Sequence, residues 1–509
     1  MKSIRFYAFA AAIASAMGLT VFSSCTNDSL LEEELALGTQ PKPATTECLR
    51  PVQPSANEDN KTRLVSVYET KSWTLDEFTS MIIKSIVGNV GRIDDNETLK
   101  SIADEAVNLY RQKIDADFLH RGWHMEQANF TYRSLTASGD SATFSGCVVF
   151  PCADDNSTHF LAGVTIFNPH LFVRDAERPT AMERPVWFRA IYDEAVVTSD
   201  GQGFGVSSDM IVPFFDGYAK GIQAVDATMA ALEYLKSRNI EVSPFGYTEN
   251  VGASLGAQQA LGVQRYIESA DCPMWVKYQL HNMETYASTG PIEPYNILDS
   301  YIEKNDSLEY NGIPVYMVLS LFASFPDMVS QYDIADFFES KVSEYRINAG
   351  GQDMLFLDGV KNKVVDSGDF NKCFRELYGC HLKKLLAPDM IDSNGKLDLG
   401  NEKAVILKTA LESFSSVADW IPMNRLLISH SKDDKVLFYD ETMKSYFKLN
   451  RRNPLMVEFT ESYGSHELST GIGILRMTFM QHPAYHSDVA EHIVSRLVDL
   501  LKYCMEHMQ

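Results

Sequence analysis

Gly252-Ala253-Ser254-Leu255-Gly256, running directly into Ala257-Gln258-Gln259-Ala260-Leu261, is a Gly-x-Ser-x-Gly pattern at the head of a helical run. The pattern predicts a nucleophile elbow, a serine on a sharp turn between a strand and a helix. Glycines two residues to either side let those elements pack closely without side-chain clash. The serine hydroxyl is then lifted above the end of a sheet.

Reading outward from the elbow, the segment Phe245 to Val251 is the strand that enters it, although Glu249 and Asn250 are polar. Leu161 to Phe167 and Ala195-Val196-Val197 read as further buried strands, and Ile222 to Tyr234 has helical periodicity. Upstream, Phe130-Thr131-Tyr132-Arg133-Ser134 and Ala142 to Phe150 flank Gly139-Asp140, a hairpin signature. Ala103, Ala106, Val107 and Tyr110 fall at helical spacing. Downstream, Tyr286 to Pro291 closes another strand, and Asn424 to Ser429 and Pro454 to Phe459 add two more. The closing helix carries Val489, Ile493, Val494, Leu497, Leu500 and Leu501 as a core-facing stripe. Strands alternating with helices predict an α/β fold with a mostly parallel central sheet flanked by helices.

Between Pro294 and Ser416 the pattern changes to helical stretches, including Ile334 to Tyr345 and Phe374 to Leu386, with scattered aromatics. A segment of this length far exceeds an ordinary loop. It reads as a mainly helical lid or cap inserted into the core. The organisation is then a core in two parts, 61–293 with the elbow and 417–509 with the groups that serve it, separated by the insertion 294–416.

Serine hydroxyl is a poor nucleophile at neutral pH, so it needs a base to take its proton and a carboxylate to orient that base. Asp433 stands in His430-Ser431-Lys432-Asp433-Asp434-Lys435-Val436, just past a hydrophobic strand, with Asp434 beside it as the competing carboxylate. His466 follows the next strand, in Tyr463-Gly464-Ser465-His466-Glu467. The chain order is Ser, Asp, His.

From Phe130 to Leu501 the chain resembles the α/β-hydrolase superfamily, and most its secretory-lipase-like esterase branch. The resemblance is carried by Ile166-Phe167-Asn168-Pro169-His170, Ser199 to Gly205, the elbow, Asp419-Trp420-Ile421-Pro422, and the Asp433 and His466 segments. It implies a serine hydrolase of carboxylic esters, with Ser254 as nucleophile, Asp433 as acid and His466 as base. Relatives usually place the acid three residues ahead of a Val-Pro pair, and Val436 stands three after Asp433, with Leu437 in the proline's place. The oxyanion hole falls to the N–H of Leu255 and to one from the loop after the Leu161 to Phe167 strand. Pro169 has no N–H, which leaves His170 or Leu171. The same triad also serves serine peptidases and acyltransferases, and an inactive descendant would bind a ligand without turnover.

The composition suits such a reading. The 509 residues are 45% hydrophobic and 22% charged, ample for a large core, and the formal net charge of −23 opposes nucleic acid and anionic membrane surfaces. Basic Met1 to Arg5 followed by apolar Phe6 to Phe22 reads as an export signal. Small residues ahead of Cys25 resemble a bacterial lipobox, so 1–24 is the expected leader and Cys25 the lipidated first residue of the mature chain, anchoring it in the envelope, in the outer membrane. The polar, proline-containing stretch 25–60 is the expected tether. Eight cysteines leave seven without Cys25; Cys147 with Cys152, or Cys373 with Cys380, could pair in an oxidising compartment. His430, Asp433 and Asp434 read as a structural turn, and nothing calls for a metal or another cofactor. The partners expected are a small-molecule or lipid ester and, through Cys25, a membrane.

Overall fold

Gly139-Asp140 completes a tight turn in which the Thr136 N–H donates to the Asp140 carbonyl at 2.7 Å. The turn joins β2 (Trp123–Leu135) and β3 (Ser141–Ala153) as an antiparallel pair with Phe130 opposite Gly146. The structure, a computed structural model, describes residues 62–88, 122–153, 157–169, 174–303, 312–349, 351–365, 385–462 and 464–479. The leader with Cys25, the tether, the helix expected around Ala103 to Tyr110, the one at Val489 to Leu501 and nearly all of Phe374 to Leu386 lie outside them.

β1 (Leu64–Trp73) pairs antiparallel with β2 at the sheet's outer edge. The sequence reading lacked this strand, because most of its side chains are exposed and it shows no apolar alternation. The remaining members of the main sheet are β4 (His159–Asn168), β5 (Glu194–Ser199), β6 (Ile240–Ala253), β7 (Met283–Ser288), β10 (Arg425–Ser431) and β11 (Val457–Ser462). Nine strands run in the order β1-β2-β3-β5-β4-β6-β7-β10-β11, parallel from β5 onward. Placing β5 between β3 and β4 makes a crossover next to the strand that leads to the elbow.

The near-continuous apolar run of β3 follows from burial on both faces. Val148 and Phe150 face Val164, Ile166 and the helix α2 (Gly217–Ser237), whereas Cys147 and Val149 face Trp187, Phe188 and Phe78 of α1 (Leu75–Gly88). The same alternation corrects one expectation. Cys147 and Cys152 are five residues apart on one strand and point to opposite faces, so no disulfide joins them and both thiols are buried.

The polar residues Glu249 and Asn250 of the elbow strand are both paired. Asn250 Nδ2 donates to the Ala260 carbonyl of α3 (Leu255–Glu268) at 2.7 Å and to Thr285 Oγ1 at 3.0 Å, while its Oδ1 accepts from Asn168 Nδ2 at 2.8 Å. Glu249 accepts from the buried guanidinium of Arg189 at 2.5 Å, which also bonds Glu194 at 2.8 and 3.0 Å. A third arm of Arg189 reaches the Met477 carbonyl at 2.9 Å, tying the late helix that begins at His466 to the sheet. Two carboxylates beside one guanidinium hold it charged against the cost of burial. Arg189→Met is therefore expected to lower stability by about 3–5 kcal/mol by stranding both acids. A urea unfolding midpoint within error of the parent would contradict this.

The segment 294–416 holds α5 (Pro294–Glu303), α6 (Ile313–Ser324), α7 (Ser340–Glu344), α8 (Phe356–Lys361) and α9 (Glu402–Ser413), with a short hairpin of β8 (Arg346–Ala349) and β9 (Gln352–Leu355). After α4 (Met274–Gln279) and β7, these elements share a hydrophobic cluster with Phe204, Phe214, Leu255 and Leu437. The helix expected over Ile334 to Tyr345 is broken: a single 3₁₀ turn, Ile334–Phe337, ends at extended Phe338, which bridges to Leu386 and buries its ring. Glu339 then caps α7 by accepting the Lys341 N–H. Burying Phe338 decides against a continuous helix. Among the described residues no helix is long and apolar enough to cross a membrane.

Candidate active site

β6 ends at Ala253 and α3 begins at Leu255, leaving Ser254 alone at the turn with φ 53° and ψ −128°. A residue with a Cβ is strained there, and the surroundings hold it. Its N–H donates to the Ser288 carbonyl at 2.9 Å and its carbonyl accepts the Ala257 N–H at 2.9 Å. Side chains are barred on either side. A Cβ on Gly252 would lie 2.0 Å from the Gly256 carbonyl oxygen, and one on Gly256 would lie 2.1 Å from that of Asn168. The two glycines thus let the end of β4, the elbow and α3 meet backbone to backbone.

His466 opens α11 (His466–Phe479), after α10 (Tyr439–Arg452) and β11. That helix docks on the end of β7: Ser469 Oγ lies 2.8 Å from Thr289 Oγ1, and Gly473 abuts the Ser288 side chain, where a Cβ would lie 2.4 Å from its Oγ. So anchored, His466 Nε2 lies 3.2 Å from Ser254 Oγ and His466 Nδ1 lies 2.8 Å from Asp434 Oδ2. An alcohol, an imidazole and a carboxylate from three distant segments stand in one hydrogen-bonded line.

No protein-family model matches the chain, and no curated protein matches its sequence. Solved structures do match. The rice cell wall degrading esterase LipA from Xanthomonas oryzae superposes with a TM-score of 0.57 at 15% identity, over 89% of this chain and 100% of that one. Candida antarctica lipase A in its closed state superposes with a TM-score of 0.51 at 13% identity, over 88% of this chain and 95% of that one. Sheet order, elbow and neighbours agree. The chain has the α/β-hydrolase fold.

The carboxylate that meets His466 is not the expected Asp433 but its neighbour Asp434. Asp433 is exposed, and among the described residues its side chain accepts only the Gly464 N–H, at 3.3 Å. Asp434 is 5% exposed and turned inward. Its Oδ1 accepts the N–H groups of Val436 and Leu437 at 2.7 and 2.9 Å, and its Oδ2 faces both His466 and His430, the latter at 3.1 Å. The physical reason is local. Asp434 closes its own turn onto the two amides that follow, and only the residue that does so points into the fold. Leu437 matters here because the proline usual at that place would have had no N–H to give.

His430 is the partner that sequence reading did not connect to the site. Fully buried at the end of β10, it presents Nε2 to Asp434 and to the Leu437 carbonyl at 2.5 Å, with Thr442 Oγ1 2.8 Å from Nδ1. Two acceptors around Nε2 place the proton there, so the Thr442 hydroxyl donates to Nδ1. Burial alone would push the Asp434 carboxyl up, but the hydrogen bonds from His430 and His466 outweigh it and hold the group well below the usual carboxylate range.

Leu255 heads α3, so its N–H is one of the amides a helix leaves without an internal partner. His170 and Leu171 lie outside the described residues. Gly203-Phe204-Gly205 forms a tight turn, with φ of 90° at Gly203 and 59° at Gly205, and Phe204 lines a cavity together with Leu255.

Proposed function

We propose that this protein is a serine hydrolase of carboxylic esters, exported and tethered to the envelope by lipid on Cys25. The observation that carries the reading is the line from Ser254 through His466 to Asp434. Asp434 fixes the proton of His466 on Nδ1, which leaves Nε2 free to accept the Ser254 proton. Ser254 Oγ attacks the ester carbonyl as that proton moves, giving a tetrahedral intermediate whose oxyanion meets the Leu255 N–H at the positive end of α3. Collapse expels the alcohol, protonated by His466, and leaves an acyl-enzyme. Water, deprotonated by the same imidazole, then attacks the acyl carbon and releases the acid and free Ser254.

The segment 294–416 is the lid in this reading, supported by the cluster that its side chains form with Leu255 and Phe214 beside the elbow. The likeness to esterase and lipase structures supports ester substrates. A fluorophosphonate should label the purified protein at Ser254, and 4-nitrophenyl esters of increasing acyl length should be hydrolysed. In cell fractions the labelled protein should sediment with the envelope, and Cys25→Ser should release it. No label at Ser254 together with no turnover across the series would refute the reading.

A further inference from the structure

This inference rests on the ester-hydrolase reading and adds the class of ester. Beside the elbow lies a cavity lined by Pro169, Phe204, Phe214, Leu255 and Lys220, among others. Leu255 follows Ser254 directly and Pro169 follows the end of β4 against Gly256, so the cavity adjoins the place where a carbonyl carbon on Ser254 would sit. Two phenylalanines and a leucine make much of its wall apolar.

Most of the polar groups lining it are committed elsewhere. Gln202 accepts the Ala137 N–H at 2.7 Å and donates to the Ile211 carbonyl at 2.9 Å. Gln223 accepts the Gln202 N–H at 3.0 Å and donates to the Leu135 carbonyl at 3.0 Å. Asp200 takes Ser145 Oγ at 2.6 Å, Thr180 N–H at 2.9 Å and Thr180 Oγ1 at 2.7 Å. Lys220, on the first turn of α2, differs. Among the described residues nothing hydrogen-bonds its ammonium. Asp216, one turn earlier, directs its oxygens to the Ala219 N–H and to Ser324 Oγ, both at 3.0 Å. Loss of water lowers the Lys220 ammonium to about 8, with Asp216 opposing the shift. It stays mostly protonated at neutral pH. A half-buried cation whose neighbouring carboxylate, Asp216, spends its oxygens on other donors gains from a ligand anion that bonds it directly.

We propose that Lys220 receives a carboxylate of the substrate, so that the preferred substrates are esters carrying a second, ionised carboxyl group, such as monoesters of dicarboxylic acids. The test pairs mono(4-nitrophenyl) glutarate with its methyl-capped neutral diester. The parent protein should favour the charged ester by roughly ten- to hundredfold in kcat/KM, the range of a hydrogen bond to a charged group. Lys220→Met should bring that ratio close to one, chiefly through KM, and Lys220→Arg should keep part of it. A parent ratio near one, or a ratio unchanged by Lys220→Met, overturns the proposal. Glutarate binding measured by calorimetry on Ser254→Ala protein, with and without Lys220→Met, reads the same contact without turnover. Binding that needs Lys220 supports the site even if neither ester is cleaved, in which case it is the ester reading that fails. Binding indifferent to Lys220 overturns the site whatever the turnover.

Discussion

Ser254→Ala is expected to lower kcat by about 10⁴ or more on any ester the protein cleaves, the loss that follows removal of a triad nucleophile. The expectation is unusually clean here. Alanine keeps the Cβ, so the backbone at φ 53° is neither relieved nor further strained, and the bonds that hold the turn, Ser254 N–H to Ser288 and the Ala257 N–H to Ser254, involve no side-chain atom. Folding and the thermal midpoint should therefore stay near those of the parent. Residual rate would come from the Leu255 amide and substrate binding alone. A variant that retains more than about a hundredth of parental kcat would place the nucleophile elsewhere.

What the sequence made legible follows from how many neighbours each feature needs. The elbow could be read because a serine, two glycines and a following helix are local, and the constraint on Gly256 is the approach of Asn168 one strand away. Parallel strands such as β4 and β5 could be read because burial on two faces leaves an unbroken apolar run. β1 could not, since an exposed edge strand is held by its ladder to β2 rather than by apolar side chains. The break at Phe338 escaped for a similar reason: its partner Leu386 lies almost fifty residues away. Choosing between Asp433 and Asp434 fails at the same point. Both are aspartates in one loop, and the deciding donors are amides whose direction is set only when the turn is built.

Asp434→Asn should cost about 10⁴ in kcat, whereas Asp433→Asn should cost no more than about threefold. The carboxylate of Asp434 collects four donors: His466 Nδ1–H, His430 Nε2–H and the amides of Val436 and Leu437. An Asn keeping its oxygen on the two amides turns NH₂ toward both imidazoles. His466 Nδ1 must then accept, its proton moves to Nε2, and the atom facing Ser254 can no longer take a proton. Asp433 loses one weak bond to the Gly464 amide, two residues from His466, which shifts the base little. The pH response separates the two as well. A carboxyl held below its unfolded value stabilises the fold above about pH 4 and loses that contribution only as pH falls through the depressed folded value. Between pH 5 and 8 Asp434 therefore stays charged, and Asp433→Asn should leave the acid limb of kcat/KM in place. A larger loss in Asp433→Asn than in Asp434→Asn would return the acid to the exposed residue and break the line that joins the three segments.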